Sequence, residues 1–181
     1  KEMCELGWAG IFIDEAHGGQ ELGTVELIIL LEELGYALAP VPFFSNTAAG
    51  LAIQVAGSDE QRERWLPSLA SGELRGTVGV VKGGEARLVP DAAERSGAEV
   101  EAFDALDATR RFGRVRADGG EQLPGDVQPA LDRICVALAA ENVGVAQRAM
   151  EMAVDYARER KQFDRPIGSY QAVSHRCAQM L

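Results

Sequence analysis

The sequence predicts an α+β fold that is mostly helical, and three observations predict it. Apolar residues recur at 3- and 4-residue spacing through the first third and again after residue 126. Short β-branched runs separated by Gly, Pro and Asp are confined to the stretch between residues 77 and 115. The order helices, strands, helices, with no alternation, opposes a parallel α/β sheet. These textures divide the chain into a helical domain at 1–75, a reduced or incomplete middle β domain at 76–124, and the start of a second helical domain at 125–181.

Each element follows from local chemistry. Leu6-Gly7 stops an opening helix; an apolar run from Trp8 to Ile13 and a polar, glycine-containing loop at 14–23 come next. Thr24 is placed to cap a helix reaching about Ala37, with Leu27, Ile28, Leu31 and Leu34 on its buried stripe. Pro40-Val-Pro42 ends it. Ser45 starts a small-residue helix to about Ala56, and Ser58 with Gln61 forms a capping-box pattern for the helix that carries Trp65 and Leu69. Strands are expected at 77–81, 86–89, 100–103 and 111–115. From Asp126 a long helix carries Leu131, Ile134, Leu138, Val145, Ala149 and Met152 toward a basic end at Arg160, and another helix starts at Ser169. There is no internal repeat or low-complexity tract.

Composition narrows the function classes. At 181 residues and 46% hydrophobic the chain can bury a true core. A formal net charge of −10 repels polyanions and excludes nonspecific binding to nucleic acid or anionic membrane, so any phosphate site must be a local basic patch. The three cysteines, Cys4, Cys135 and Cys177, are odd in number and form neither a CxxC pair nor a disulfide framework, which favours a reducing, cytoplasmic setting. Cys135 and Cys177 are expected to be buried small hydrophobes, with no sequence cue for thiolate activation. No signal peptide or membrane span is indicated. The chain opens at Lys1 within helical texture, as expected of a piece of a longer protein. His17 and His175 are too isolated for a metal site and are expected in a loop and on a helix surface. Nothing places Glu32, Glu33 or Glu141 opposite a substrate.

The most informative run is Tyr156-Ala-Arg-Glu-Arg-Lys-Gln-Phe-Asp-Arg-Pro-Ile-Gly-Ser-Tyr-Gln-Ala-Val-Ser-His-Arg176. Arg158, Arg160, Lys161 and Arg165 gather around a helix C-terminus, where cations complement the dipole and an Arg fork grips a phosphate in two places. A cationic helix end is by itself more often a solvated terminus. Generic capping, however, does not require the continuation through Phe163, Pro166, Gly168, Ser169, Tyr170 and Gln171.

That run resembles a motif of the acyl-CoA dehydrogenase family. The resemblance extends, in family order, through Leu6-Gly-Trp-Ala-Gly-Ile-Phe-Ile-Asp-Glu-Ala-His-Gly-Gly19, Leu31-Glu-Glu-Leu-Gly35, Ala39-Pro-Val-Pro42, Gly57-Ser-Asp-Glu-Gln-Arg-Glu-Arg-Trp-Leu-Pro67 and Ala139-Ala-Glu-Asn-Val-Gly-Val-Ala-Gln-Arg148. It implies FAD as cofactor and oxidation of an acyl-CoA thioester to the 2-enoyl-CoA. Further implications are a homo- or hetero-oligomer, dimer or tetramer, and an electron-accepting flavoprotein as partner. In such an assembly Arg160, Gln162 and Phe163 would approach the pyrophosphate and adenosine of a neighbouring subunit's FAD, with Tyr170 and Gln171 completing the surface. The aromatic residues Phe163 and Tyr170 have packing as the alternative role. Asp132 matches a residue that helps bind CoA in relatives, against the plainer reading of an Asp on a solvated helix face.

The departures from the family are specific. The flavin-binding stretch expected after the first strand is missing, since Gly79-Val-Val runs directly into Lys82-Gly-Gly84, a pair of glycines that reads as a simple turn. The β region is too short for a full barrel, so residues are absent around 82–85 and 93–96 or the domain is degenerate. Asp164 stands where the family usually has Gly. Most relatives carry the catalytic Glu in the C-terminal helical region, here expected beyond Leu181; a minority carry it in an Asp-x-Glu-Arg pattern that reads Asp132-Arg-Ile-Cys135 in this chain. The catalytic base is therefore unknown, and two readings stand: an active dehydrogenase, or a non-catalytic partner subunit of a heteromer that lends flavin contacts. A purely structural helical protein is the third.

Overall fold

The computed structural model describes residues 2–80, 86–88, 99–103, 106, 112–116 and 122–181. Helix α1 (Glu2–Glu5) ends at Gly7, whose φ of 74° suits a residue without Cβ. The following run turns through a 3-10 segment at Trp8–Gly10 and buries Ala9, Ile11, Phe12 and Ile13. Helix α2 (Thr24–Tyr36) has Gly23 as its cap residue, with no side-chain bond, so Thr24 is the first helical residue and not the cap. Leu27 and Leu31 are buried as its stripe requires, with Ile28 and Leu34 packed at the edge. Helix α3 (Phe43–Ala56) begins two residues before the expected Ser45, because Pro42 pre-sets the entry. Helix α4 (Asp59–Ala70) carries the expected capping box: the Gln61 amide donates to Ser58 Oγ at 3.2 Å and the Ser58 amide to Gln61 Oε1 at 2.9 Å.

The strands β1 (Val78–Val80), β2 (Ala86–Leu88), β3 (Glu99–Phe103) and β4 (Phe112–Arg116) form two separate antiparallel pairs, β1 with β2 and β3 with β4. The expected Lys82-Gly-Gly84 turn and the segment 93–96 lie outside the described residues.

Helix α5 (Gln128–Glu159) packs chiefly on α2 and also on α3. Its buried face corrects the expected stripe in part: Leu131, Ile134 and Val145 are half-buried, with Ile134 packed against the core. Ala130, Ala137, Ala140, Gly144 and Ala157 face inward, while Leu138 and Met152 are 41% and 57% exposed. Small residues win because the helices approach closely: a Cβ on Gly144 would lie 1.9 Å from the Glu32 carbonyl oxygen, and one on Gly35 would lie 2.0 Å from that of Glu141. Cys135, on the outward side, is exposed, which corrects its expected burial. Past α5 the chain makes strands β5 (Lys161–Gln162) and β6 (Arg165–Pro166), a 3-10 turn at Ile167–Ser169, and helix α6 (Gln171–Gln179). The last helix thus starts at Gln171, two residues after the expected Ser169.

Candidate functional site: the hairpin after the long helix

Only Arg158 of the four basic residues lies in the last turn of α5. Arg160 is the C-cap in extended geometry, its amide donating to the Tyr156 carbonyl at 2.9 Å. The chain then folds into a two-residue β-hairpin in which Lys161 pairs with Pro166 and Gln162 with Arg165. Ile167 N–H closes the base by donating to the Arg160 carbonyl at 2.8 Å. The hairpin seats on α5 through the following turn, where Gly168 approaches so closely that a Cβ would stand 3.0 Å from the Ala157 carbonyl oxygen.

Phe163 and Asp164 form the tip, with φ of 50° and 62°. Positive φ at both central residues is the type I′ arrangement that matches the twist of paired strands. The role of glycine in the related motif follows directly, since position 164 requires the left-handed region. Asp is among the few side chains that enter it, whereas a bulky Phe there is a true outlier. Phe163 is 87% exposed, so the packing alternative for it fails within this chain. Tyr170 is half-buried; its hydroxyl donates to the Gln162 carbonyl at 3.1 Å, and its ring lies under the Arg165 guanidinium, 4.0 Å from ring centroid to carbon.

The electrostatics favour an anion. Arg158 is partly committed to Asp155, with 3.5 Å between nitrogen and oxygen. Among the described residues Arg160, Lys161 and Arg165 have no carboxylate partner, and all three side chains are exposed. Unspent donors on two arginines and a lysine suit an anionic group such as a phosphate. Asp164 is the one opposing charge on the tip. Gln162 and Gln171 are exposed on the same segment, Gln171 as the first residue of α6.

The remaining candidates lie elsewhere. Asp132 is exposed on the first turns of α5 and accepts from Gln128 Nε2 at 2.8 Å, as a solvated-face residue does. Its neighbour Arg133 lines a polar cleft of about 580 Å³ together with Asp14, His17, Gln54, Val55, Asp59, Arg62 and Glu63. His17 sits there in a 3-10 turn with Nδ1 at 3.9 Å from Asp14 Oδ2, and His175 is exposed on α6. Among the described residues no group of His, Cys, Asp or Glu is arranged to hold a metal ion. No described helix is long and apolar enough to cross a membrane.

The sequence does not disclose the hairpin itself or the seating of Arg165 over Tyr170. The usual signal for a type I′ turn is Asn-Gly or Asp-Gly. Phe163-Asp164 carries no such signal.

Comparison with known proteins bears on this geometry. The family model "Acyl-CoA dehydrogenase, N-terminal domain" matches residues 1–73, and "Acyl-CoA dehydrogenase, C-terminal domain" matches residues 126–181, which includes the hairpin. The acyl-CoA dehydrogenase IpdE2 of Mycolicibacterium smegmatis is 35% identical over 189 aligned positions, covering 98% of this chain and 59% of the relative. Because those positions outnumber the 181 residues of this chain, the relative carries residues that this chain lacks. Among solved structures, the Tcur3481-Tcur3483 steroid ACAD G363A variant matches with a TM-score of 0.81 and 30% identity over 98% of this chain and 62% of that one. The ChsE4-ChsE5 complex from Mycobacterium tuberculosis matches in fold, with a TM-score of 0.80 and 24% identity over 98% of this chain and 62% of the other. The chain therefore spans about three fifths of the length of each of these three proteins.

Proposed function

This chain belongs to the acyl-CoA dehydrogenase family, and on that premise we propose that its protein carries out FAD-dependent α,β-dehydrogenation of an acyl-CoA thioester to the 2-enoyl-CoA. The supporting observation is the hairpin: a strained, exposed tip flanked by three cations that have no carboxylate partner among the described residues, directly after the long helix. The domain order is read as helical at 1–75, β at 76–124 and helical at 125–181.

FAD, when bound, supplies the acceptor for the substrate's β-hydride. The contribution of this chain is binding and orientation. Arg160 and Lys161 offset the diphosphate charge, Gln162 and Gln171 offer amide hydrogen bonds, and Phe163 offers an aromatic face to the adenosine of a neighbouring subunit's cofactor. A site serving a neighbour makes a dimer or tetramer part of the proposal. The α-proton falls to a carboxylate in the C-terminal helical region, because Ile134 occupies the place where a minority of relatives carry the base, and it has no group to accept a proton. Reoxidation by an electron-accepting flavoprotein completes the turnover.

A second reading has its own support. Asp132-Arg-Ile-Cys135 departs from the Asp-x-Glu-Arg pattern, and one structural neighbour is a complex of two named chains. In this reading the chain is a non-catalytic partner that lends the hairpin to an active subunit. The test is the visible spectrum of the full-length protein purified natively, before and after anaerobic addition of acyl-CoA. A steroid-derived acyl-CoA comes first, given the name of the 30% identical structure. Flavin bands that bleach support the dehydrogenase. Flavin that bleaches only when a related second chain co-purifies supports the partner reading, and absence of flavin contradicts both.

A further inference from the structure

A hairpin of two residue pairs has little stability of its own. This one also turns through two non-glycine residues in the left-handed region, at φ 50° and 62°. Something outside the hairpin must hold it, and Tyr170 does so. Its carbonyl accepts from the Val173 amide at 2.9 Å and the Ser174 amide at 3.0 Å, rooting the residue in the first turn of α6. From that anchor its hydroxyl reaches back to the Gln162 carbonyl on β5, and its ring supports Arg165 on β6 at 4.0 Å. One side chain thus ties both strands.

We propose that Tyr170 is a positioning residue that holds this hairpin and that Arg165, seated over its ring, is a further anion-gripping side chain for the diphosphate of a dinucleotide. The inference rests on reading the hairpin as a dinucleotide site, and assigns Tyr170 a role through Arg165. A guanidinium held over a ring by cation–π attraction spends none of its N–H donors on a hydrogen-bond acceptor. Arg165 has no carboxylate partner among the described residues, so those donors are uncommitted. The ring contact removes side-chain freedom before the ligand arrives, which lowers the ordering cost of binding.

The experiment is FAD rebinding to the full-length native assembly, read by flavin fluorescence, for Arg165→Ala, Tyr170→Leu, the double variant, Arg165→Lys and Arg160→Ala. Arg165→Ala and Tyr170→Leu should each weaken FAD about tenfold, with the double variant losing clearly less than the two single losses combined, because much of the effect of Tyr170 runs through Arg165. Arg165→Lys should recover only part of the loss, since an ammonium keeps the charge but lacks the planar fork, and it keeps the test intact should Tyr170→Leu fail to assemble. Additive losses in the double variant, or wild-type affinity in Arg165→Lys, overturn the inference. If Arg160→Ala loses flavin while Arg165→Ala does not, the site reading stands and this inference falls. If Arg160→Ala also binds normally, both fall.

Discussion

Asp164 concentrates the tension in this site. Its φ of 62° asks for glycine, and its carboxylate opposes the charge of any phosphate ligand. Asp164→Gly should raise stability in urea unfolding by up to about 1 kcal/mol and tighten flavin retention. Weaker retention would show that the carboxylate is a required contact. A second residue-scale test concerns the Tyr36 hydroxyl, which donates to Glu151 where α2 meets α5. That bond, with the one from Gln147 at 3.1 Å, holds the Glu151 carboxyl below the ordinary glutamate range, and the same bond pushes the Tyr36 phenol up. A lowered carboxyl pKa gives stability that is present above a free glutamate's pKa of about 4.3 and lost as pH falls through the folded value. A raised phenol pKa gives stability present below about pH 10 and lost as pH rises through the folded value. Tyr36→Phe should therefore flatten the stability–pH curve at both extremes, measured by thermal melts; an unchanged acid limb would contradict the assignment for Glu151.

At the scale of elements, the α2–α5 crossing explains two motifs that the sequence marks only by resemblance. Gly35 and Gly144 lie where each helix meets the other's backbone, the Gly144 Cβ position lying 1.9 Å from the Glu32 carbonyl oxygen. In an open helix Gly→Ala stabilises by roughly 1 kcal/mol. Here the sign should reverse, with Gly144→Ala costing about 1–3 kcal/mol by forcing the helices apart, as read from urea unfolding. A stabilised variant would mean the helices do not cross this closely. The same crossing shows what was legible beforehand. Ser58 and Gln61 signal the α4 start because capping is local chemistry, and Leu27 and Leu31 mark the α2 stripe because large apolar residues define that face. On α5 Leu138 and Met152 point outward while alanines and glycine pack inward and Ile134 reaches the core from the edge, so a stripe drawn through the bulkiest side chains is only half right. The hairpin is illegible for a related reason: its turn is imposed by the Tyr170 tie and not by its own residues.

On the scale of the whole molecule, a chain with net charge −10 carries a local cluster of cations on the flanks of the hairpin, and that contrast favours this surface for the proposed dinucleotide. If the tip serves a neighbouring subunit, flavin retention must depend on assembly. Diluting the full-length protein until it dissociates should release flavin together with the subunits, followed by sedimentation at protein and flavin wavelengths. Flavin that stays with monomers would contradict a shared site. The most direct measurement is a structure of the natively purified full-length assembly with its flavin bound. The expected result is the cofactor's diphosphate against Arg160, Lys161 and Arg165 of the adjoining subunit. That hairpin facing bulk water, with the cofactor held wholly within one subunit, would contradict it.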